Sequence, residues 1–313
     1  MKKILIVGAG AMGAAFSIPL LDNGHSVTLT EPYNFKLLQK LNLKKKIHPS
    51  LNINLPKKLK INKFSSDILN RKWDLIVIAV SSIGIDLIGK NLSKIKNKSP
   101  ILVLTKGLKL DGRNLISMSS LLKKYNKNLN ISVLKGPCLA KELAKKVKSF
   151  TVVANKNINT AKKIGKLIST NYYQTEFSRD VNGVEFLSAI KNIYSMIIGA
   201  GQWHNTSSAL FRKSIDEMKY LANYFKGKKE TVYGLAGLGD LYVSAMGGRN
   251  SKMGEYLGKG YTFNQAKKKF MKNDTVEGAD LAIEIAPFVF KKINKRRIPL
   301  MISLLEAIVK NKK

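Results

Sequence analysis

Apolar positions fall in short unbroken blocks along the first half of the chain, separated by glycines or polar stretches. KKILIV (Lys2–Val7) is such a block, and a run of this length without alternation marks a strand buried on both faces of a parallel sheet. It enters Gly8-Ala9-Gly10-Ala11-Met12-Gly13 directly, followed by a helical stretch, AAFSIPLLDNG, ending near Gly24. His25–Thr30 predicts a second strand with Glu31 at its end. Further strands are expected at Trp73–Val80, Pro100–Leu104, Asn130–Leu134, Phe150–Ala154 and Tyr172–Phe177. From Pro32 to Lys72 the pattern blurs into lysine-rich sequence, where IHPSLNINLPKKLKINKF reads as a loop with short strands and no identifiable chemistry. After Asp180 the alternation stops. The remainder reads as helices joined by glycine loops: Asn182–Gly199, Ser207–Tyr224, a turn over Tyr233–Asp240, Asn250–Leu257, Phe263–Met271, and Thr275 to the end.

Strand, glycine turn, helix, strand, acid is the context in which a GxGxxG match becomes informative. Gly8, Gly10 and Gly13 permit the tight turn and let a pyrophosphate approach backbone N–H groups at a helix N-terminus. Glu31 lies 18 residues past Gly13, placed to accept hydrogen bonds from both ribose hydroxyls. Its charge would repel a 2′-phosphate, so NAD(H) is expected in preference to NADP(H). The fold class expected is therefore α/β: a Rossmann-type doubly wound sheet over residues 1–180, then an all-helical substrate-binding and catalytic domain over 181–313. Ligands gather at the carboxyl ends of strands in such sheets, which is where Lys106 falls. Lys135-Gly136-Pro137-Cys138 offers a further turn and helix N-terminus to an anion. With no histidine base nearby in sequence, Cys138 reads as a packing thiol and not a nucleophile.

In the second half, Phe186–Asn205 is a long apolar run interrupted by Lys191. At helical spacing Val184, Leu187, Lys191, Tyr194 and Ile198 share one face. Burial there would disfavour the ammonium and bring the amine toward the range useful for proton transfer. The blander reading is a lysine that snorkels to solvent or to a carboxylate.

The net charge of +35 invites a nucleic-acid reading. Of the 55 basic residues, however, only seven are arginine, and the lysines are scattered through the whole chain. No arginine-led stripe with interleaved aromatics is present, so solvated lysine faces are favoured over a nucleic-acid surface, with anionic small substrates still drawn inward. A single cysteine excludes an internal disulfide and fits a reducing cytoplasm. Lys2-Lys3 before the apolar Ile4–Leu21 resembles a targeting or membrane segment, but three glycines and Pro19 inside it fit neither. His48 and His204 show no pattern for a metal or a catalytic dyad, and no metal is expected.

The specific motif lies in the helical half. Gly234-Leu235-Ala236-Gly237-Leu238-Gly239-Asp240-Leu241 precedes Ser244 and then Gly247-Gly248-Arg249-Asn250. With AIKN around Lys191, TKGL around Lys106, GPCLAKELA, and VEG at Val276–Gly278, the chain resembles the NAD(P)-dependent glycerol-3-phosphate dehydrogenases from Gly8 to about Gly278, with the motifs in the family's order. The resemblance implies reduction of dihydroxyacetone phosphate to sn-glycerol 3-phosphate for phospholipid synthesis. It gives Lys191 the acid/base role, with Asn192 and Asp240 beside it. Lys106, Gly136, Cys138, Ser244, Gly248, Arg249 and Asn250 fall at substrate positions. Gly8, Gly10, Met12, Gly13, Glu31, Lys106, Ala140, Arg249 and Glu277 fall at cofactor positions. NADP(H) remains admissible as cofactor and a homodimer as assembly. The chain departs from the pattern at Cys138 (usually serine), Met12 (usually tryptophan), Lys213 (usually arginine) and Gly248 (often serine). These departures leave open a related keto substrate, such as that of a ketopantoate or 3-hydroxyacid reductase, or a non-catalytic dinucleotide- or nucleic-acid-binding protein.

Overall fold

The computed structural model describes residues 1–43, 46–95 and 98–312. The chain divides into two compact units, residues 1–106 with 118–181 and residues 107–117 with 182–313.

Among the described residues twelve strands follow in chain order. They are β1 (Lys3–Val7), β2 (Ser26–Glu31), β3 (Ile47–His48), β4 (Ile53–Asn54), β5 (Lys60–Lys63), β6 (Leu75–Ile78), β7 (Ile101–Val103), β8 (Leu108–Asp111), β9 (Asn114–Ser117), β10 (Ile131–Lys135), β11 (Ser149–Ala154) and β12 (Tyr173–Ser178). Eight form the sheet of the first unit, in the order β12-β11-β10-β7-β6-β1-β2-β5. All neighbours are parallel except β10 and β11. The apolar blocks land where helices cover both faces: Ile4 to Val7, Leu75 to Ile78 and Ile101 to Val103 are all fully buried. From β1 the chain winds outward through β2 to β5, then returns to β6 on the other side. This reversal places a topological switch point at the carboxyl ends of β1 and β6, where open sheets bind ligands. Gly8 sits there with φ +109°, and a Cβ on it would stand 2.6 Å from the Ala79 carbonyl oxygen; only glycine lets the loop leave β1 so close to β6. The blurred segment after Glu31 is more ordered than its composition suggests. It contains the β3–β4 hairpin and an edge strand, β5, which joins the main sheet. The apolar run Ile4–Leu21 is β1, the glycine loop and the helix Ala11–Asp22. Among the described residues no helix is long and apolar enough to cross a membrane.

The second unit is built on the helix Val181–Ala200, which is buried on every side from Gly183 to Ile198 and not along a single stripe. Glycines let neighbouring helices reach its backbone. A Cβ at Gly254 would lie 1.9 Å from the Met196 carbonyl oxygen, and one at Gly278 would lie 2.5 Å from that of Asn192. Glu217 on the helix His204–Tyr224 is 4% exposed. It accepts from the Tyr194 hydroxyl at 3.0 Å and from the N–H groups of Leu300 and Met301 at 2.7 and 3.0 Å. The two amides open the helix Pro299–Val309, so a carboxylate from another helix caps that N-terminus. Burial pushes the Glu217 carboxyl up, against these donors. Burial, with that carboxylate, also holds the Tyr194 hydroxyl well above its ordinary value, so it stays a donor.

Two sequence expectations need amendment. From residue 181 onward the described chain is helical, as expected, but the β8–β9 hairpin groups with it, so the second unit also takes in residues 107–117. Leu108, Leu110 and Leu115 pack on its core, the Leu110 N–H donates to Glu284 at 2.9 Å, and the Ser117 hydroxyl donates to Glu185 at 2.6 Å. The terminal helix expected from Thr275 onward is two helices, Glu277–Lys292 and Pro299–Val309, separated by extended backbone at Ile293 and a short turn over Lys295–Arg297, with Pro299 at the first position of the second helix.

The Gly254 contact leaves no room for a methyl group. Gly254→Ala should force the two helices apart and cost about 1–3 kcal/mol, read as a lower urea midpoint; an unchanged midpoint would contradict the close approach.

Candidate functional site

In the first unit, the glycine loop opens the helix Ala11–Asp22 with Gly10 as its N-cap and no side chain satisfying the first amides. A Cβ at Gly13 would lie 2.0 Å from the Gly8 carbonyl oxygen, whereas one at Gly10 would meet nothing within 4 Å. The loop is thus tight against its own helix and open above Gly10, as a backbone that must admit a pyrophosphate requires. Met12 is partly buried against the core. Glu31 ends β2 at 6% exposure. Its carboxylate accepts from the N–H groups of Ala9 at 2.7 Å, Tyr33 at 2.9 Å and Asn34 at 3.1 Å. Amide donors among the described residues thus meet three of the roughly four lone-pair directions of that carboxylate. The free amides, the open face and the acid at the strand end fit the adenosine and pyrophosphate portion of a dinucleotide.

At the next strand ends, the Lys106 ammonium reaches the Gly136 carbonyl oxygen at 3.5 Å. Cys138 is partly buried against the same core as Ala140. Sequence reasoning missed Lys135 here. It is 2% exposed, and its ammonium donates to the carbonyls of Val103 at 3.2 Å and Thr105 at 2.6 Å. It therefore ties down the backbone that carries Lys106. A lysine closing the strand ISVLK just before a Gly-Pro turn was the available signal. His48, also passed over, is 1% exposed and hydrogen-bonded to the loop; nothing local in the sequence indicates a contact across 39 residues.

In the second unit, Lys191 is brought together with Asp240 and Ser244. Its Nζ lies 2.7 Å from Asp240 Oδ1, with the two side chains 7% and 3% exposed, and it also donates to Ser244 Oγ. The motif Leu235–Gly239 forms one wide helical turn that leads into the helix Asp240–Ala245. Residues four apart share a helix face, which is why Asp240 and Ser244 both meet the amine. Burial alone would favour a neutral lysine, but an opposite charge this close favours the ammonium. Of the blander reading, the solvent half fails because the head group stays inside, while the carboxylate half holds, since that carboxylate is Asp240.

Beside this pair, Glu277 opens the helix Glu277–Lys292 and lies 3.5 Å from both Asn192 Nδ2 and an Arg249 guanidinium nitrogen. Gly248 caps the helix Arg249–Gly258. Asn250 Oδ1 accepts the Gly278 N–H at 2.9 Å, which joins the two helix starts. The arrangement offers a buried ammonium that can donate to an oxygen. It also offers a half-exposed guanidinium at a helix N-terminus, a setting suited to phosphate. Among the described residues no group of histidine, cysteine and acidic side chains could hold a metal ion.

The model of the N-terminus of NAD-dependent glycerol-3-phosphate dehydrogenase matches residues 3–161, and that of its C-terminus matches residues 180–313. The glycerol-3-phosphate dehydrogenase [NAD(P)+] of Fusobacterium nucleatum is 31% identical, covering 100% of this chain and 94% of that protein. The NADP(+)-dependent glycerol-3-phosphate dehydrogenase of Archaeoglobus fulgidus is 28% identical, covering 93% and 90%. The crystal structure of the glycerol-3-phosphate dehydrogenase of Coxiella burnetii shares the fold, with a TM-score of 0.86 at 24% identity over 99% of this chain and 95% of that one. This chain belongs to the NAD-dependent glycerol-3-phosphate dehydrogenase family.

Proposed function

We propose that this oxidoreductase reduces dihydroxyacetone phosphate to sn-glycerol 3-phosphate, supplying phospholipid synthesis, with Lys191 as the proton donor and NADH as the preferred reductant. The observation that carries the reading is the buried amine held by Asp240 at 2.7 Å. A reduced nicotinamide bound by the first unit supplies the hydride. The chain's own residues then manage charge. Reduction of a ketone puts negative charge on its oxygen, and a positioned ammonium stabilises that charge and gives up a proton to it. Asp240 keeps the amine charged and aimed before the reaction. The neutral amine left afterwards regains its proton from solvent.

Arg249 gives the phosphate its anchor. Its contact with Glu277 joins two groups more than half exposed, and such pairs contribute little, so the guanidinium can turn to a phosphate at small cost. Gly248 at the N-cap leaves the first amides of that helix without a side-chain partner. The preference for NADH rests on Glu31, whose buried negative charge at the end of β2 disfavours a 2′-phosphate nearby.

Three outcomes test this reading in a coupled assay of the purified protein. Lys191→Ala should lower kcat with dihydroxyacetone phosphate by at least about a hundredfold, while NADH affinity, measured by titration, stays close to that of the parent; a comparable loss of NADH affinity would remove the acid role. Arg249→Ala should raise KM for the phosphorylated ketone about thirtyfold, the loss of one charge-assisted contact; an unchanged KM would move the phosphate elsewhere. The ratio of kcat/KM for NADH over NADPH should exceed one, and a ratio below one would refute the role given to Glu31.

A further inference from the structure

Ala9, between the first two loop glycines, is held on both sides by side chains from distant segments. Its N–H donates to Glu31 Oε2 at 2.7 Å, and its carbonyl lies 3.0 Å from His48 Nε2. The other ring nitrogen fixes the tautomer. Leu51 N–H lies 3.3 Å from His48 Nδ1, and an amide can only donate, so Nδ1 is the acceptor. In a neutral imidazole the remaining nitrogen carries the hydrogen, so Nε2–H donates to the Ala9 carbonyl. The hairpin that presents His48 is itself tied down. Asn52 N–H donates to the His48 carbonyl at 2.8 Å, Leu55 N–H to the Lys46 carbonyl at 3.1 Å, and Leu51 and Leu55 are buried in the first unit's core.

The consequence follows from peptide geometry. The C=O and N–H of a trans peptide point in opposite directions. Drawing the Ala9 carbonyl toward His48 therefore aims the Gly10 N–H the other way. Gly10 is the exposed member of the loop, with open space where a Cβ would stand. The same rule applied to the Ala9 N–H turns the Gly8 carbonyl away from Glu31, and that oxygen lies against the start of the helix at Gly13. The two side chains thus set the rotation of two successive peptides in the loop.

We propose that His48 is a positioning residue for dinucleotide binding: through the Ala9 carbonyl it orients the Gly10 N–H toward the pyrophosphate. This rests on the cofactor reading above but not on the identity of the ketone. An imidazole at this site costs more to bury than a packing residue would, because both nitrogens need partners. That cost is matched by a loop whose donors are aligned before the ligand arrives.

The test is calorimetric titration of the full-length protein with NADH, alongside steady-state kinetics and melting temperatures. His48→Phe keeps a ring but loses the donor, and His48→Gln places an amide N–H near the position of Nε2. The Phe variant should bind NADH about five- to tenfold more weakly, the worth of one aligned hydrogen bond, with KM for NADH rising by a larger factor than kcat falls. The Gln variant should recover most of that loss. Should the Phe variant not fold, His48→Asn, one bond too short for Ala9, replaces it with the same expectation. Unchanged NADH affinity in Phe or Asn, or equal weakening in Gln, would overturn the proposal while leaving the cofactor site in place. Absence of NADH binding by the parent protein would overturn both.

Discussion

A lysine ammonium and an aspartate carboxylate 2.7 Å apart and nearly out of water constrain the whole second unit. Removing two such ions from water costs several kcal/mol each, and their attraction offsets this only when geometry is tight and other hydrogen bonds are made. The helix carrying Lys191 is accordingly buried all round, and its neighbours approach to backbone contact through Gly254 and Gly278. Asp240 and Ser244 sit one turn apart on a short helix, so both meet one amine. A stability argument would favour an apolar pair in this place. Keeping an expensive pair is in line with the proton-donor role proposed for Lys191.

The first unit solves a different problem with backbone groups. Its loop provides amides, and glycine provides the room. The side chains that matter, Glu31 and His48, act on the peptides of the loop itself, and Lys135 acts in the same manner on the backbone beside Lys106. A buried carboxylate with three amide donors also closes β2 beside the loop, and the proposed preference for NADH rests on it.

How much was legible in the sequence depended on range. The strands of the sheet and the glycine loop are written in contiguous residues, through apolar blocks and glycine spacing, and they appeared close to where expected. Helical spacing placed Lys191 on an apolar face but left a snorkelling head group open, and the motifs elsewhere in the chain were needed to mark it as a site residue. Its bond to Asp240, 49 residues away, required the family motif, since no local pattern pairs them. The β8–β9 hairpin was hidden because only Leu108, Leu110 and Leu115 signal its attachment, and three leucines fit many contexts. His48 was hidden for the same reason, lying in lysine-rich sequence whose composition describes the surface and says nothing of one inward-facing ring. The charge of +35 proved uninformative about the site, where the cations that matter are few and differ in burial, from Lys191 inside to the half-exposed Arg249.

Asp240 is proposed to act on the reaction through Lys191. Single-turnover rates of NADH oxidation with dihydroxyacetone phosphate test it directly, compared among Lys191→Ala, Asp240→Asn and the double variant. Groups that act as a unit lose function once. A double variant no slower than Lys191→Ala alone is expected; a double loss equal to the product of the two single losses would show that the two residues act independently.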